Sequence, residues 1–402
     1  MEDTTAFFNN ELACHDEGVF AAVSDLWSSD RLGEVRPKRG PQKPAFMFFE
    51  VLVYNLVLAG DEALAFPMDK AAVEFQTNRY NQRKLTHNVT KYIDRLAGAG
   101  LLKLLKGARE SRKRTTFRAA GELEQLVNTL RLQMHLIGNQ MEAIEVRQER
   151  RRVDYNDTPD TGIWRQTLND HADLMRGVEV MFRPKGIEAP LVIPSQNLNY
   201  RRLFSRGSWD CGGRLYCNSV QGLRQRSSPE RQTITFDGVS TVEPDFSGQH
   251  PRILYILEGT PAADDADMYN AWSGIKLSAE TNALSTQDRR YLAKFLMLAA
   301  LNAKNAQDAC GAAKEAFENH TIPMKDCLSL YDAMLEHHAS IAHHFSSDIG
   351  IRLQKIDSDI MLLVMGEMVT RGLPCLSVHD SLVCREQDEA VGAGLMLAAS
   401  AF

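Results

Sequence analysis

What the chain lacks excludes several classes at once. Its longest apolar run, residues 46–59, is broken by Glu50 and Asn55, and it falls short of the roughly 20 apolar residues that a bilayer-spanning helix needs. Cysteine is sparse. Cys14, Cys211, Cys217, Cys310, Cys327, Cys375 and Cys384 make an odd seven with no zinc-ligand spacing, which fits a reducing compartment and no disulfide framework. There is no excess of positive charge: 46 Lys and Arg stand against 52 Asp and Glu. No global basic field therefore announces a nucleic-acid partner, although a local groove can still be basic. Met1-Glu-Asp-Thr-Thr is acidic and has no signal-peptide pattern, so a cytoplasmic protein without membrane contact is expected. Internal repeats and low-complexity tracts are also missing.

What remains is an ordinary globular composition, 44% hydrophobic and 24% charged over 402 residues, enough for two or three structural units and a sizeable core. Residues 1–45 read as a helix followed by the basic, proline-rich connector Arg36-Pro-Lys-Arg-Gly-Pro-Gln-Lys-Pro44. Residues 46–155 open with an apolar helix. A second helix, over 86–97, places Val89, Tyr92, Ile93 and Leu96 at helical spacing with Thr86 as cap. Gly98 and Gly100 then stop it. Two short β-prone runs, 101–105 and 115–117, flank the basic turn Gly107-Ala-Arg-Glu-Ser-Arg-Lys-Arg114. Helix, glycine stop and basic hairpin look like a winged helix-turn-helix, with Arg109, Arg112, Lys113 and Arg114 as a phosphate-facing wing tip; a solvated basic hairpin or a protein-binding wing fits the same pattern. Residues 122–150 read as a long amphipathic helix. The polar, turn-rich stretch 154–161 is the expected boundary before a unit covering 156–402.

Two stretches of that last unit carry the chemistry: Thr241-Val-Glu-Pro-Asp-Phe-Ser-Gly-Gln-His-Pro-Arg252 and Leu376-Ser-Val-His-Asp-Ser-Leu-Val383. Each sets one aspartate, Asp245 or Asp380, at the end of an apolar β-prone run; residues 239–242 and 373–378 read as short buried strands, and 382–383 resumes the second. A carboxylate at the end of a core strand is costly unless something positive neutralises it. Side by side, the two would suit a pair of Mg²⁺ ions about 3.5–4 Å apart, the arrangement that drives in-line phosphoryl transfer. Two turn aspartates at strand ends is the plainer alternative.

Around them, Gly212-Gly-Arg-Leu-Tyr216 precedes the first motif, Arg290-Tyr-Leu-Ala-Lys294 follows it on a helix, and Gln354-Lys-Ile-Asp-Ser-Asp-Ile360 comes before the second. In kind, order and spacing this series, over roughly residues 196–388, resembles the palm and fingers motifs of family A DNA polymerases and the related phage-type single-subunit RNA polymerases. The resemblance implies an α+β fold: a right-hand palm with reduced helical fingers, preceded by a mostly helical N-terminal region with the winged-helix-like module in place of a thumb. It implies a compact template-directed nucleotidyltransferase without exonuclease, such as serves a phage, plasmid or other mobile element. Its partners would be a DNA template–primer and nucleoside triphosphates, and its cofactors two Mg²⁺, with Mn²⁺ as an alternative ion. Asp245 and Asp380 would hold the metals with the Phe246 carbonyl. Arg290 and Lys294, one helical turn apart, would clamp the β- and γ-phosphates. Arg214, Arg252, Gln354 and His379 would contact primer and template.

Two departures concern the sugar. DNA-polymerising members usually carry a glutamate, which blocks a ribose 2′-hydroxyl, where this chain has His250. They usually carry Tyr-Gly where it has Asn302-Ala303. RNA synthesis or priming therefore stays open beside DNA synthesis, as does a non-catalytic initiator that only binds DNA. Asp357 and Asp359 read as local caps or pairs rather than metal ligands. The histidines His337, His338, His343 and His344 read as a polar helix face rather than a metal site.

Overall fold

The structure is a computed structural model. It describes the chain except for residues 1–4, 8–11, 15, 38–41, 67–78, 81–87, 106–114, 140–141, 150, 185, 187, 222, 224–229, 261, 263–265, 273, 318–321 and 401–402. The fold is mixed α and β, with helices and several short-stranded sheets, and no described helix is long and apolar enough to cross a membrane. The chain divides into two compact units.

The first unit comprises Met1–Ala143, Met175–Arg201 and Cys217–Ser219. It is built around the helix Lys43–Ala59, which is hydrophobic on all sides and buries Phe48, Phe49, Leu52, Val53, Tyr54, Leu56 and Val57. A helix apolar all round must lie inside a core. Its two polar interruptions are satisfied one turn away: Tyr54 Oη donates to Glu50 Oε1 at 2.9 Å, and Asn55 Nδ2 to the Val51 carbonyl at 2.8 Å. The helix Val89–Gly98 ends where Gly100 takes φ +74°. Strands Leu102–Leu105 and Thr116–Ala119 then pair antiparallel, as the pattern of helix, stop and hairpin predicts. The connecting basic turn, with Arg109, Arg112, Lys113 and Arg114, lies outside the described residues, as does Thr86. The hairpin belongs to a four-stranded sheet ordered Thr5–Phe7, Ala63–Ala65, Thr116–Ala119, Leu102–Leu105.

The long helix expected over 122–150 is not there. The helix Gly121–Leu130 gives way to a 3₁₀ turn, Arg131–Leu136, and then to strands Ile137–Asn139 and Ile144–Gln148. The helical period was real only as far as Leu130. Beyond it the β-branched Ile137, Ile144 and Val146, with Gly138 between, favour extended backbone. The division between units accordingly falls near 143–144 rather than in the polar stretch 154–161, and residues 175–201 return to the first unit.

The second unit comprises Ile144–Leu174, Arg202–Tyr216 and Val220–Phe402. It holds two sheets and a helical lobe. In one sheet the order is Gly212–Tyr216, Arg201–Phe204, Ile144–Gln148, Arg151–Arg152. In the other, Thr235–Phe236, Val239–Val242, Ser381–Arg385 and Cys375–Val378 pair antiparallel in succession. Cys375–Val378 is wholly buried, as expected, whereas Val239–Val242 is half-buried to exposed. The lobe packs helices Thr286–Ala300, Ala306–Ala316 and Met324–His337 around Leu292, Leu296, Met297, Leu330 and Met334.

The helix Gly350–Thr370 lies directly on the strand Gly212–Tyr216. Glycine at position 213 eases this contact. Gly213 has φ +75°, and a Cβ there would stand 3.0 Å from Ser358 Oγ and 3.1 Å from the Phe204 ring. Arg202, fully buried, locks the same junction. Its Nε donates to the Gly213 carbonyl at 2.9 Å and its Nη2 to Ser358 Oγ at 3.0 Å, and the guanidinium pairs with Asp359 and lies 4.3 Å from the Trp164 ring centre.

Candidate active site

Strands Cys375–Val378 and Ser381–Arg385 form a hairpin whose register, Val378 opposite Ser381, leaves His379 and Asp380 as a two-residue turn. His379 takes φ +58°, a backbone state that non-glycine residues adopt rarely and that concentrates at functional sites. The neighbouring strand Val239–Val242 runs on past Pro244, whose carbonyl accepts from Leu382 N at 3.0 Å. Asp245 then bridges to Ser381, and Phe246 N donates to the Asp380 carbonyl at 3.4 Å. Two aspartates 135 positions apart in sequence (380 − 245) are thus brought to one end of one sheet.

Their electrostatics show the crowding. Partial desolvation first, and the Asp380 charge second, push Asp245 up to about 6; Lys294 draws it back down. Desolvation also raises Asp380, with Asp357 the chief charged contributor and Arg214 and His250 opposing. Two hard oxygen donors that resist ionising together are a donor set for a hard divalent cation. By this test Asp245 and Asp380 fit Mg²⁺, with the Phe246 backbone at the same place.

Glu243, two residues before Asp245, is held by Arg231 through both oxygens, Nε to Oε2 at 2.9 Å and Nη2 to Oε1 at 2.7 Å, and Ser381 Oγ lies 2.6 Å from Oε1. It is neutralised structure, and it fixes the turn that carries Asp380.

The helix Thr286–Ala300 buries Leu292, Ala293, Leu296, Met297 and Ala300, leaving Arg290 and Lys294 on its other side. Lys294 faces Asp245 closely enough to lower its proton affinity. Arg290 Nε donates to Asp267 Oδ2 at 3.0 Å, and its guanidinium lies 5.1 Å from the centre of the Tyr269 ring. The buried Tyr269 phenol is pushed up to about 12 by desolvation and then by Asp380. Tyr269 and Asp267 therefore belong to the site, although no sequence motif marks them.

Arg214 and Tyr216, two apart on one strand and so on one face, reach the long helix and the turn. Arg214 Nη2 stands 3.5 Å from Asp357 Oδ2, and the Tyr216 ring meets His379 edge-on at 6.3 Å. His250, on the helix Gln249–Leu257, is 3.8 Å from the same Asp357 oxygen. Gln354 is half-buried on the long helix, one turn before Asp357.

Two other expected site residues, Arg252 and Asn302, make contacts close to their own elements. Arg252 binds its own loop, donating from Nε to the Ser247 carbonyl at 2.8 Å and from Nη2 to the Ala266 carbonyl at 2.9 Å. Asn302 is exposed; its amide donates to the Leu298 carbonyl at 2.8 Å and packs on Gly350. Asp359 pairs locally with Lys355, as expected, and also with the distant Arg202. Asp357 does not pair locally, because its partners come from a strand and from another helix.

The four histidines do not form one helix face. The helix ends at His337 and a 3₁₀ turn, Ala339–His344, follows. His338 is buried, its Nε2 donating to the Met268 carbonyl at 2.9 Å. His343 and His344 meet Glu258 Oε1 at 3.2 and 2.8 Å; together they are a three-residue group that could hold a metal ion, found among the described residues.

A groove of about 410 Å³ between helices Pro159–Met175 and Gly350–Thr370 is lined by Trp164, Thr167, Leu363 and Gly366. It contains neither Asp245 nor Asp380, so the donor set rather than volume locates the chemistry. Neither models of protein families nor the curated proteins yield a match to this chain.

Proposed function

We propose that the protein is a template-directed nucleotidyltransferase that extends a DNA primer with deoxynucleotides, its catalytic centre being Asp245 and Asp380. The observation that carries this is the Asp245–Ser381 bridge, which sets Asp245 beside Asp380 at the end of the hairpin. Mg²⁺ held there would neutralise charge on the triphosphate and on the attacking 3′ oxygen. The protein's own share is positioning. Lys294 and Arg290 offer a point charge and a planar fork to phosphates on the side facing Asp245. Arg214, Tyr216 and His379 form a second surface beside the turn, suited to a base-pair edge and the primer backbone. On this reading the second unit would serve as palm and reduced fingers, and the helix-and-hairpin element of the first unit as a DNA-contacting winged module.

Primer extension with dNTPs and NTPs side by side tests this. Mg²⁺-dependent extension with dNTPs is the expected result. Extension with NTPs alone, or synthesis without a primer, would indicate an RNA polymerase or primase. Duplex binding without synthesis would indicate a DNA-binding initiator and sink the proposal.

A further inference from the structure

Three carboxylates near the hairpin turn differ in how well they are satisfied. Glu243 is gripped by Arg231 and Ser381 at 2.6–2.9 Å. Asp359 pairs with Arg202 and Lys355. Asp357, 1% exposed, has among the described residues two loose cationic neighbours, Arg214 Nη2 at 3.5 Å and His250 Nε2 at 3.8 Å, both on Oδ2. Its Oδ1 is buried with no hydrogen-bond partner among the described residues, and the same holds for Arg214 Nε and for His379 Nδ1 nearby. Buried polar atoms are nearly always paired. A cluster of orphans around one carboxylate, beside two carboxylates whose oxygens are paired, marks groups whose hydrogen bonds are completed only when something else arrives. The carboxylate also spans three elements: the long helix carries it, the strand Gly212–Tyr216 brings Arg214, and the helix Gln249–Leu257 brings His250.

We propose that Asp357 is a positioning residue that ties Arg214 to His250, so that the fit of the primer's last base pair and the pocket for the incoming nucleotide are sensed through one carboxylate. This rests on the polymerase function proposed above. When Arg214 turns its donors to a well-formed pair edge, its hold on Asp357 Oδ2 changes. His250, sharing that oxygen, then shifts its hold in turn. A mispaired end leaves Arg214 on the carboxylate and His250 less restrained. Residues that share a partner in this way are energetically coupled.

The test is single-nucleotide extension by the full chain, with kcat and KM measured separately for dATP and ATP, from matched and mismatched primer ends. In the wild type, a mismatched end should change the dATP-over-ATP preference at least fivefold, within the range of coupling between contacting residues. Asp357→Asn, which keeps shape and removes charge, should reduce that dependence to twofold or less, while Asp357→Glu should restore part of it. Arg214→Ala and His250→Ala should be non-additive by at least fivefold in the wild-type background. Should Asp357→Asn fail to fold, as judged by thermal unfolding, that pair of variants decides alone. Additivity within twofold, or an Asp357→Asn variant with wild-type dependence on the primer end, overturns the inference. A wild type that extends no primer overturns the proposed polymerase function itself, and this inference with it.

Discussion

Asp245 bridges to Ser381, the residue that follows Asp380 in the hairpin, so the two aspartates confront each other at the sheet's end with Lys294 facing Asp245. Like charges so placed resist ionising together, and a divalent cation relieves them. Asp245→Asn and Asp380→Asn should each lower Mg²⁺-dependent extension a hundredfold or more, roughly the scale of a lost electrostatic stabiliser. Neither should lower the metal-free unfolding temperature, because each removes a repulsion. Retention of more than about a tenth of the rate by either variant would refute the two-aspartate centre.

The same pair gives a pH dependence. Asp245 is raised to about 6 by desolvation and then by Asp380. A carboxyl whose folded value is raised contributes stability that is fully present at low pH and is lost as pH climbs through about 6. Protons and cation compete for it. The rise in unfolding temperature on adding Mg²⁺ should therefore be largest above pH 6, shrink below it, and vanish in Asp245→Asn. A Mg²⁺ shift that is flat between pH 5 and 8 would contradict the shared site.

Much of this site was legible because chemistry and period coincide in the sequence. An aspartate ending a β-prone run is visible without coordinates, as are Arg290 and Lys294 one turn apart on a helix. Asp357 was misread because its partners, Arg214 and His250, lie more than a hundred positions away, and local spacing offers a cap or an i, i+4 pair first. Tyr269 and Asp267 lie in a loop with no periodicity, so only the fold brings them to Arg290. The failure at residues 131–148 has another cause. The apolar residues there keep helical spacing for a turn beyond Leu130, while β-branched side chains and Gly138 favour strands.

Phosphate binding and duplex binding should separate by location. Lys294→Ala and Arg290→Ala should raise KM for nucleotides with a smaller effect on duplex affinity, since both stand on the helix that faces Asp245. Arg112→Ala combined with Lys113→Ala should do the reverse, lowering the salt slope of duplex binding by up to about one per lost phosphate contact. Equal effects of both pairs on both measurements would show that the two functions are placed wrongly.

Two buried histidines should make the second unit acid-sensitive. His171 donates from Nε2 to the Cys375 carbonyl at 2.7 Å, and His338 is held between Met268 and Tyr255. Desolvation holds both down at about 4. Between that value and the unfolded value of about 6.5, the unfolded chain takes up protons that the folded one refuses, so stability is full above pH 6.5 and falls as pH drops. The slope should reach about 1.4 kcal/mol per pH unit for each histidine. Urea unfolding at pH 7, 5.5 and 4.5, in an Asp245→Asn background that removes one of the two raised carboxyls, Asp380 being the other, measures it as the difference from a histidine variant. His338→Gln, whose amide keeps one donor and one acceptor, should lower the slope by up to about 1.4 kcal/mol per pH unit, and an unchanged slope would show that His338 titrates normally.

The remaining prediction concerns the sugar. His250 Nε2 lies 3.8 Å from Asp357 Oδ2, and Asn302 packs on Gly350; under the proposed function, selection against ribose would then rest on the imidazole without help from Asn302. An imidazole beside a carboxylate is bulky enough to crowd a 2′-hydroxyl, yet it retains the capacity to hydrogen-bond to one. Crowding rejects an extra hydroxyl only weakly, whereas a site built to bond a hydroxyl strongly rejects a substrate that lacks it. The wild type should therefore prefer dATP with modest discrimination against ATP. In His250→Glu the new carboxylate meets Asp357 at close range, and like charges direct it away from the helix and into the nucleotide pocket. Discrimination against ATP should rise, by roughly ten- to a hundredfold if a steric contact worth about 1.4–2.7 kcal/mol is gained. Single-nucleotide extension with dATP and ATP by both proteins measures it. Ribonucleotide incorporation that stays level or increases in the variant would mean that position 250 does not face the sugar, and that Asp357 holds His250 out of the pocket.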